Sequence, residues 1–184
     1  MKELSLNILD ITENSVKAKA TLTEILIEES DEQLILTIKD NGTGMTEEIL
    51  KGVTDPFYTT RTTRKVGMGL PLLKMAAEMT GGKITVTSKH FSLYPKEHGT
   101  IVCAEFNKNH IDFTPLGDVI STITTLIQGH PDTDFLYHHT FGGKEVSLDT
   151  RELRLVLEDV PLNTYDVIKW IEENLKEQYL EAEA

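Results

Sequence analysis

From Leu4 to about Lys17 the apolar residues Leu4, Ile8 and Ile11 recur at helical spacing, while Asn7, Asp10 and Asn14 gather on another face. The spacing predicts an amphipathic helix that shows a carboxylate and an amide, Asp10 and Asn14, one above the other. The period then shortens to two. About Thr21 to Glu29 and Gln33 to Lys39 alternate and read as an antiparallel hairpin around the acidic turn Ser30-Asp31-Glu32. The second strand puts Leu34, Leu36 and Ile38 on one face and runs into Asp40-Asn41-Gly42-Thr43-Gly44-Met45, after which Thr46, Glu47 and Glu48 open a short helix. Gly52 to Gly69 is irregular. Helical spacing returns with Leu70, Leu73 and Ala77 and closes at Gly81-Gly82. Lys83 to Lys89 and Thr100 to Phe106 alternate again, joined by a loop from His90 to Gly99 whose His90 and His98 are expected to face solvent.

Beyond Asn107 the pattern changes. Thr114-Pro115 is expected to open a helix carrying Val119, Ile120, Ile123 and Ile127, ended near Gly129-His130-Pro131. Phe135, Tyr137 and Phe141 alternate up to Gly142-Gly143, a two-residue hairpin turn, with Lys144 to Leu148 as the return strand. Asp149 with Glu152 is a capping pattern for a short helix. Asn163 with Asp166 repeats it before a final helix striped by Ile168, Ile171 and Leu175, whose acidic end from Glu181 is expected to fray. The chain thus divides into residues 1–107 and a small α+β appendage at 108–184.

Thirty acidic against eighteen basic residues give a net charge of -12, which disfavours a direct grip on nucleic acid or acidic lipid. No apolar run approaches the roughly 20 residues of a membrane span, and the start Met-Lys-Glu-Leu-Ser has no signal-peptide core, so a cytoplasmic protein is expected. The single cysteine, Cys103, sits in a strand-like run and reads as a small buried hydrophobe.

Chemistry concentrates in three stretches. Asp40 ends a strand, where its carboxylate can accept from an exocyclic amine such as adenine's, and the adjoining glycines let backbone approach a flat ring; the same residues also make an ordinary turn. Within Gly52 to Gly69, Arg61, Arg64 and Lys65 are interleaved with threonines and offer the cationic forks and hydroxyls that hold phosphate oxygens, although an exposed loop reads the same way. Gly67 and Gly69 lead into a helix, and amides at such a start form an anion site. His138-His139 lies in a strand without a third ligand and reads as sheet.

The order of these pieces is specific. A helix bearing Glu13-Asn14, a strand ending in Asp40-x-Gly42-x-Gly44, the run Phe57-Tyr58-Thr59-Thr60-Arg61, Gly67-x-Gly69-Leu70 opening a helix, and a hairpin with Gly99-Thr100 resemble the GHKL ATPases. These are the Bergerat-fold proteins, which include DNA gyrase, heat-shock chaperones, mismatch-repair ATPases and histidine kinases. The likeness covers residues 3–107. Phe57 to Arg61 and the short spacing to Gly67 look like a histidine-kinase ATP-binding domain, whereas Glu13 to Thr21 is similar to the first box of mismatch-repair ATPases.

The resemblance implies an α+β sandwich, a mixed and mostly antiparallel sheet packed on helices, with ATP and Mg²⁺ as cofactors. It implies Asn14 as the Mg²⁺ ligand, with phosphate oxygens and water completing the shell. Asp40 would accept from the adenine amine, with Gly42, Gly44 and Met45 around it and Thr100 in support. Phe57, Thr59, Thr60, Arg61, Arg64 and Lys65 would lie in the ATP lid, and Gly67, Gly69 and Leu70 at the phosphate-binding helix start. Hydrolytic members carry a glutamate four residues before the magnesium asparagine; that place holds Asp10, one methylene shorter, as the candidate general base. Histidine kinases carry a helical dimerisation domain with a phosphoacceptor histidine ahead of the ATP domain; none is expected here, where the six histidines are scattered. The expectation is a stand-alone phosphotransferase or ATP-dependent switch acting on a protein partner, with anti-sigma-factor kinases as precedent. A self-sufficient ATPase and a non-catalytic ATP/ADP sensor are the alternatives, and a homodimer is compatible with each.

Overall fold

The computed structural model describes residues 3–55 and 68–184. In chain order the elements are α1 (Leu4–Lys17), β1 (Leu22–Glu29), β2 (Gln33–Asp40), α2 (Glu47–Gly52), α3 (Gly69–Met79), β3 (Lys83–Lys89), β4 (Gly99–Asn107), α4 (Val119–Gly129), β5 (Asp134–Phe141), β6 (Lys144–Asp149), α5 (Thr150–Leu157) and α6 (Tyr165–Glu183). The strands form one six-stranded sheet in the order β3-β4-β2-β1-β5-β6. It is an α+β sandwich. Neighbours are antiparallel except β1 and β5, which run parallel from Leu22↔Asp134 to Glu29↔Phe141. A parallel pair needs a crossover, and α4 lies on the path from β4 to β5.

The alternation of each strand puts one set of side chains under the helices. Ile25, Ile38 and Val102 are partners across β1, β2 and β4, Leu36 pairs with Ala104, and Tyr137 stands beside Ile25. Against this face pack Leu4, Ile8 and Ile11 of α1, Leu70 and Leu73 of α3, Ile123 and Ile127 of α4, and Ile171 and Leu175 of α6. Residues 108–184, expected as an appendage, are built into the same sheet and the same core. The physical reason is edge completion: once β2 covers one side of β1, the other side would be an open edge unless β5 occupied it.

Several boundaries differ from the sequence reading. Thr114-Pro115 does not open α4, because the carbonyls of Pro115 and Leu116 accept from Leu4 N and Ser5 N at 2.9 and 2.8 Å. Helix α4 starts after Asp118, whose Oδ1 accepts from Ser121 N at 2.9 Å. The cap of α6 is Thr164 rather than Asn163, and α6 runs through Glu183 instead of fraying at Glu181. Asn7, expected on the displayed face of α1, is 1% exposed, and its Nδ2 has no partner among the described residues. Packing explains this: α1 touches both α3 and α4, so most of its circumference is covered. Gly142 and Gly143 do make the tight turn. Beyond it the open edge of β6 is covered by one side chain, Gln178, whose amide accepts from Ser147 N at 2.9 Å and donates to Ser147 O at 3.0 Å.

A buried polar chain ties α6 to the sheet. His139 Nε2 donates to Glu29 Oε1 at 3.0 Å, His139 Nδ1 meets Tyr179 OH at 2.7 Å, and Tyr179 OH meets Tyr137 OH. Lys108 Nζ donates to the other Glu29 oxygen at 2.8 Å. These partners, the His139 hydrogen bond foremost, hold the Glu29 carboxyl down to about 2, while burial pushes the Tyr179 phenol up to about 12 and Tyr137 further. Among the described residues no helix is long and apolar enough to cross a membrane.

Candidate functional site

Asp40 closes β2 in the middle of the sheet, paired with Thr23 of β1 and Thr100 of β4. Its carboxylate is held at both oxygens: Ser15 Oγ of α1 donates to Oδ2 at 2.7 Å and Gly42 N donates to Oδ1 at 2.8 Å. The turn that follows is fastened on three sides. Asn41 Oδ1 accepts from Thr21 N and Leu22 N at 2.8 and 3.0 Å, and Thr43 N donates to Ala18 O at 2.8 Å. Met45 N donates to Ser88 Oγ at 2.7 Å; Ser88 in turn donates to Gly99 O at 3.0 Å, so Thr100 Oγ1, at 2.9 Å, supplies the proton in its own bond to Ser88.

Two glycines here are obligatory. Gly44 has φ +70°, and a Cβ there would lie 2.0 Å from Lys89 O; Gly99 has φ +137°, and a Cβ there would lie 1.9 Å from Asp40 O. His98 differs from its expectation. Rather than facing solvent, its Nδ1 donates to Gly42 O, so the loop from His90 to Gly99 becomes a wall of the turn. Phe91 N, donating to Thr43 O at 2.9 Å, is a second fastening of that wall.

The second group of candidate residues lies at the start of α3. A Cβ on Gly69 would lie 3.2 Å from Asp10 Cβ and 3.9 Å from Asn14 Nδ2, so α1 presents both residues to the first turn of α3, with Leu70 buried behind it. Among the described residues no side chain caps that turn, so its amides can serve an outside acceptor. Asp10 and Asn14 are exposed, and neither side chain has a hydrogen-bond partner among the described residues. Glu13 is engaged elsewhere, its Oε1 accepting from His130 Nε2 at the end of α4 at 2.7 Å.

The structure therefore brings Asp10, Asn14 and Gly69 together, and separately gathers Asp40, Gly42, Gly44, Met45 and Thr100. Phe57, Thr59, Thr60, Arg61, Arg64, Lys65 and Gly67 lie outside the described residues. Sequence reasoning missed Ser15, Ser88 and His98. For Ser15 a signal existed: it extends the Leu4, Ile8, Ile11 stripe, and a polar residue on a buried stripe needs a polar partner.

Known proteins resemble this chain in sequence and in fold. The profile of the family "Histidine kinase-, DNA gyrase B-, and HSP90-like ATPase" matches residues 2–110. Sensor protein KdpD of Clostridium acetobutylicum is 31% identical over 94 residues, 48% of this chain and 10% of KdpD. Sensor protein SrrB of Staphylococcus aureus is 35% identical over 94 residues, 48% of this chain and 16% of SrrB. The chain thus spans a small part of the length of these curated relatives. The Aquifex aeolicus MutL ATPase domain complexed with ADP shares the fold, with TM-score 0.55 at 17% identity over 86% of this chain and 70% of that chain, a share that residues 2–110 alone cannot supply. The profile runs over more than half of the chain and through Asp10, Asn14, Asp40 and Gly69, so the chain belongs to the histidine kinase-, DNA gyrase B- and HSP90-like ATPase family and carries an ATP-binding domain of the GHKL type.

Proposed function

We propose that the chain binds ATP with Mg²⁺ between α1, the 40–45 turn and the start of α3, and acts as a phosphotransferase or ATP-dependent switch on a protein partner. The observation that carries this reading is the Asp40 carboxylate, fixed at both oxygens at the end of a central strand. A carboxylate so oriented keeps lone pairs for the adenine amine without having to reorganise, and Gly42 and Gly44 leave room for the ring. The first turn of α3, without a side-chain cap among the described residues, takes the phosphates, and the exposed Asn14, unpaired among the same residues, offers an amide oxygen to Mg²⁺. The donor set fits that ion. Among the described residues no group of three or more His, Cys, Asp or Glu gathers, so the remaining ligands would be phosphate oxygens and water, as Mg²⁺ prefers. When bound, the ion neutralises charge on the transferred phosphoryl group.

Two of the relatives are sensor proteins by name, which supports a role in switching a partner. In the transfer reading, a nucleophilic oxygen or nitrogen of the partner attacks the γ-phosphorus, the bond to the bridging oxygen breaks, and ADP leaves with that electron pair. A cytoplasmic location suits a consumer of ATP, and the net charge of -12 makes protein a better partner than nucleic acid.

A second reading has its own support. Of the two carboxylates on α1, Glu13 is tied to His130 while Asp10, beside Gly69, has no partner among the described residues and could polarise water for ATP hydrolysis. ATP labelled at the γ-phosphate, mixed with the chain and Mg²⁺, separates the two. Phosphate release above an Asn14→Ala control establishes hydrolysis and demotes transfer to a partner; label that stays on bound ATP supports the acceptor-dependent reading. Nucleotide binding that survives Asp40→Asn intact refutes the site itself.

A further inference from the structure

Helices α5 and α6 leave a groove against the far end of the sheet, lined, Leu26 apart, by residues beyond those that the family profile covers. It measures about 590 Å³, with apolar lining from Leu26, Leu136, Leu148, Leu153, Val156 and Trp170. Its lips are more apolar than a free surface needs. Val156 is 82% exposed, and Trp170, half exposed, is the chain's one tryptophan. Aromatic residues in a recess beside exposed aliphatics are what anchors a partner, not what a solvated helix shows.

Charge decides what the partner is. The two arginines of α5 are already spent, Arg151 on Asp149 and Arg154 on Asp134, each at 2.7 Å. At the groove Glu152 lines the wall, and on α6 Asp166 stands one turn before Trp170, while Lys169 beside them is paired with Glu173. Neither Glu152 nor Asp166 enters an ion pair among the described residues. A second copy seated by two-fold symmetry would set this acidic rim against itself. Acidic lipid is repelled for the same reason.

We infer that this groove is the docking site for an amphipathic helix of a partner protein, apolar along one side and bearing Lys or Arg at its margins. The apolar side fills the recess at Trp170 and Val156, and the cations meet the unpaired carboxylates. The inference names a partner surface for the switch proposed above and rests on that reading for its consequence alone.

The probe is a fluorescein-labelled synthetic peptide with Leu on one helical side and Lys on its flanks, titrated against the full chain without nucleotide and followed by fluorescence anisotropy. Running without nucleotide keeps the outcome independent of the Asp40→Asn test. Binding is expected to weaken by about tenfold or more in Val156→Asp and in Trp170→Ala. It is expected to weaken in Glu152→Lys and to stay unchanged in Asp31→Lys, a control in the turn between β1 and β2. Val156 is so exposed that its variant should melt like the parent, which separates lost docking from lost fold. The inference is overturned by no binding, by Val156→Asp binding like the parent, by equal weakening in Asp31→Lys, or by equal affinity for a peptide with Glu in place of Lys. A dimer in sedimentation that Val156→Asp dissolves would assign the face to a second copy instead.

Discussion

Ser15 Oγ donates to Asp40 Oδ2 at 2.7 Å, joining the first helix to the end of the central strand across 25 positions of sequence. The bond leaves Gly42 N as the other donor, so the carboxylate cannot rotate away from the cleft. In Ser15→Ala the remaining donor no longer fixes both oxygens. ATP affinity is expected to fall by about tenfold, roughly 1.4 kcal/mol, as measured by titration calorimetry. An unchanged affinity would separate Asp40 from the base.

Gly99 and Gly81 both have positive φ, +137° and +78°, but only Gly99 has no room for a side chain. Gly99→Ala is expected to cost at least about 2 kcal/mol in urea unfolding, because backbone strain adds to the clash with Asp40 O. Gly81→Ala, with open space around it, is expected to cost about 1 kcal/mol. Equal losses would mean that the turn moves aside without resistance.

Asp10 lies beside Gly69 without a partner among the described residues. If it activates water, Asp10→Ala should lower phosphate release by about 100-fold or more while ATP affinity stays within a factor of about two. If the chain transfers phosphoryl groups to a partner, the same variant should leave transfer intact. Single-turnover kinetics beside equilibrium binding distinguish the two.

The Glu29 carboxyl is held at about 2, mainly by the His139 hydrogen bond, against an ordinary value of 4.5. The folded state thus binds the proton less tightly than the unfolded chain. Its stabilisation is complete above pH 4.5 and is lost as pH falls toward 2. The melting temperature of the parent should exceed that of Glu29→Gln at neutral pH, and the gap should narrow through this window. A gap that is constant with pH would show that Glu29 acts through packing alone.

Much of the candidate site was legible because its parts are local. Asp40 with its glycines, Asn14 four residues after Asp10, and Gly69 at a helix start each depend on neighbours a few positions away. Helices and strands were readable for the same reason, since a period of two or 3.6 is a property of one segment. The errors fall where distant segments meet. Asn7 was read as displayed because its own helix cannot report that α3 and α4 cover it. His98 was read as solvent-facing because its partner, Gly42 O, lies 56 positions away.

The sequence by itself determined which segments are helix or strand, and which short motifs could hold a nucleotide, because dihedral preference and local spacing act within a few residues. Tertiary structure alone decided that β5 joins β1 in parallel and draws residues 108–184 into the common core, that Ser15 orients Asp40, and that Glu13 is taken up by His130 across 117 positions while Asp10 has no partner among the described residues. A strand's alternation says which face is buried but not which strand lies beside it, and a polar side chain does not name its partner. Those choices depend on the joint packing of every element, which no single segment contains.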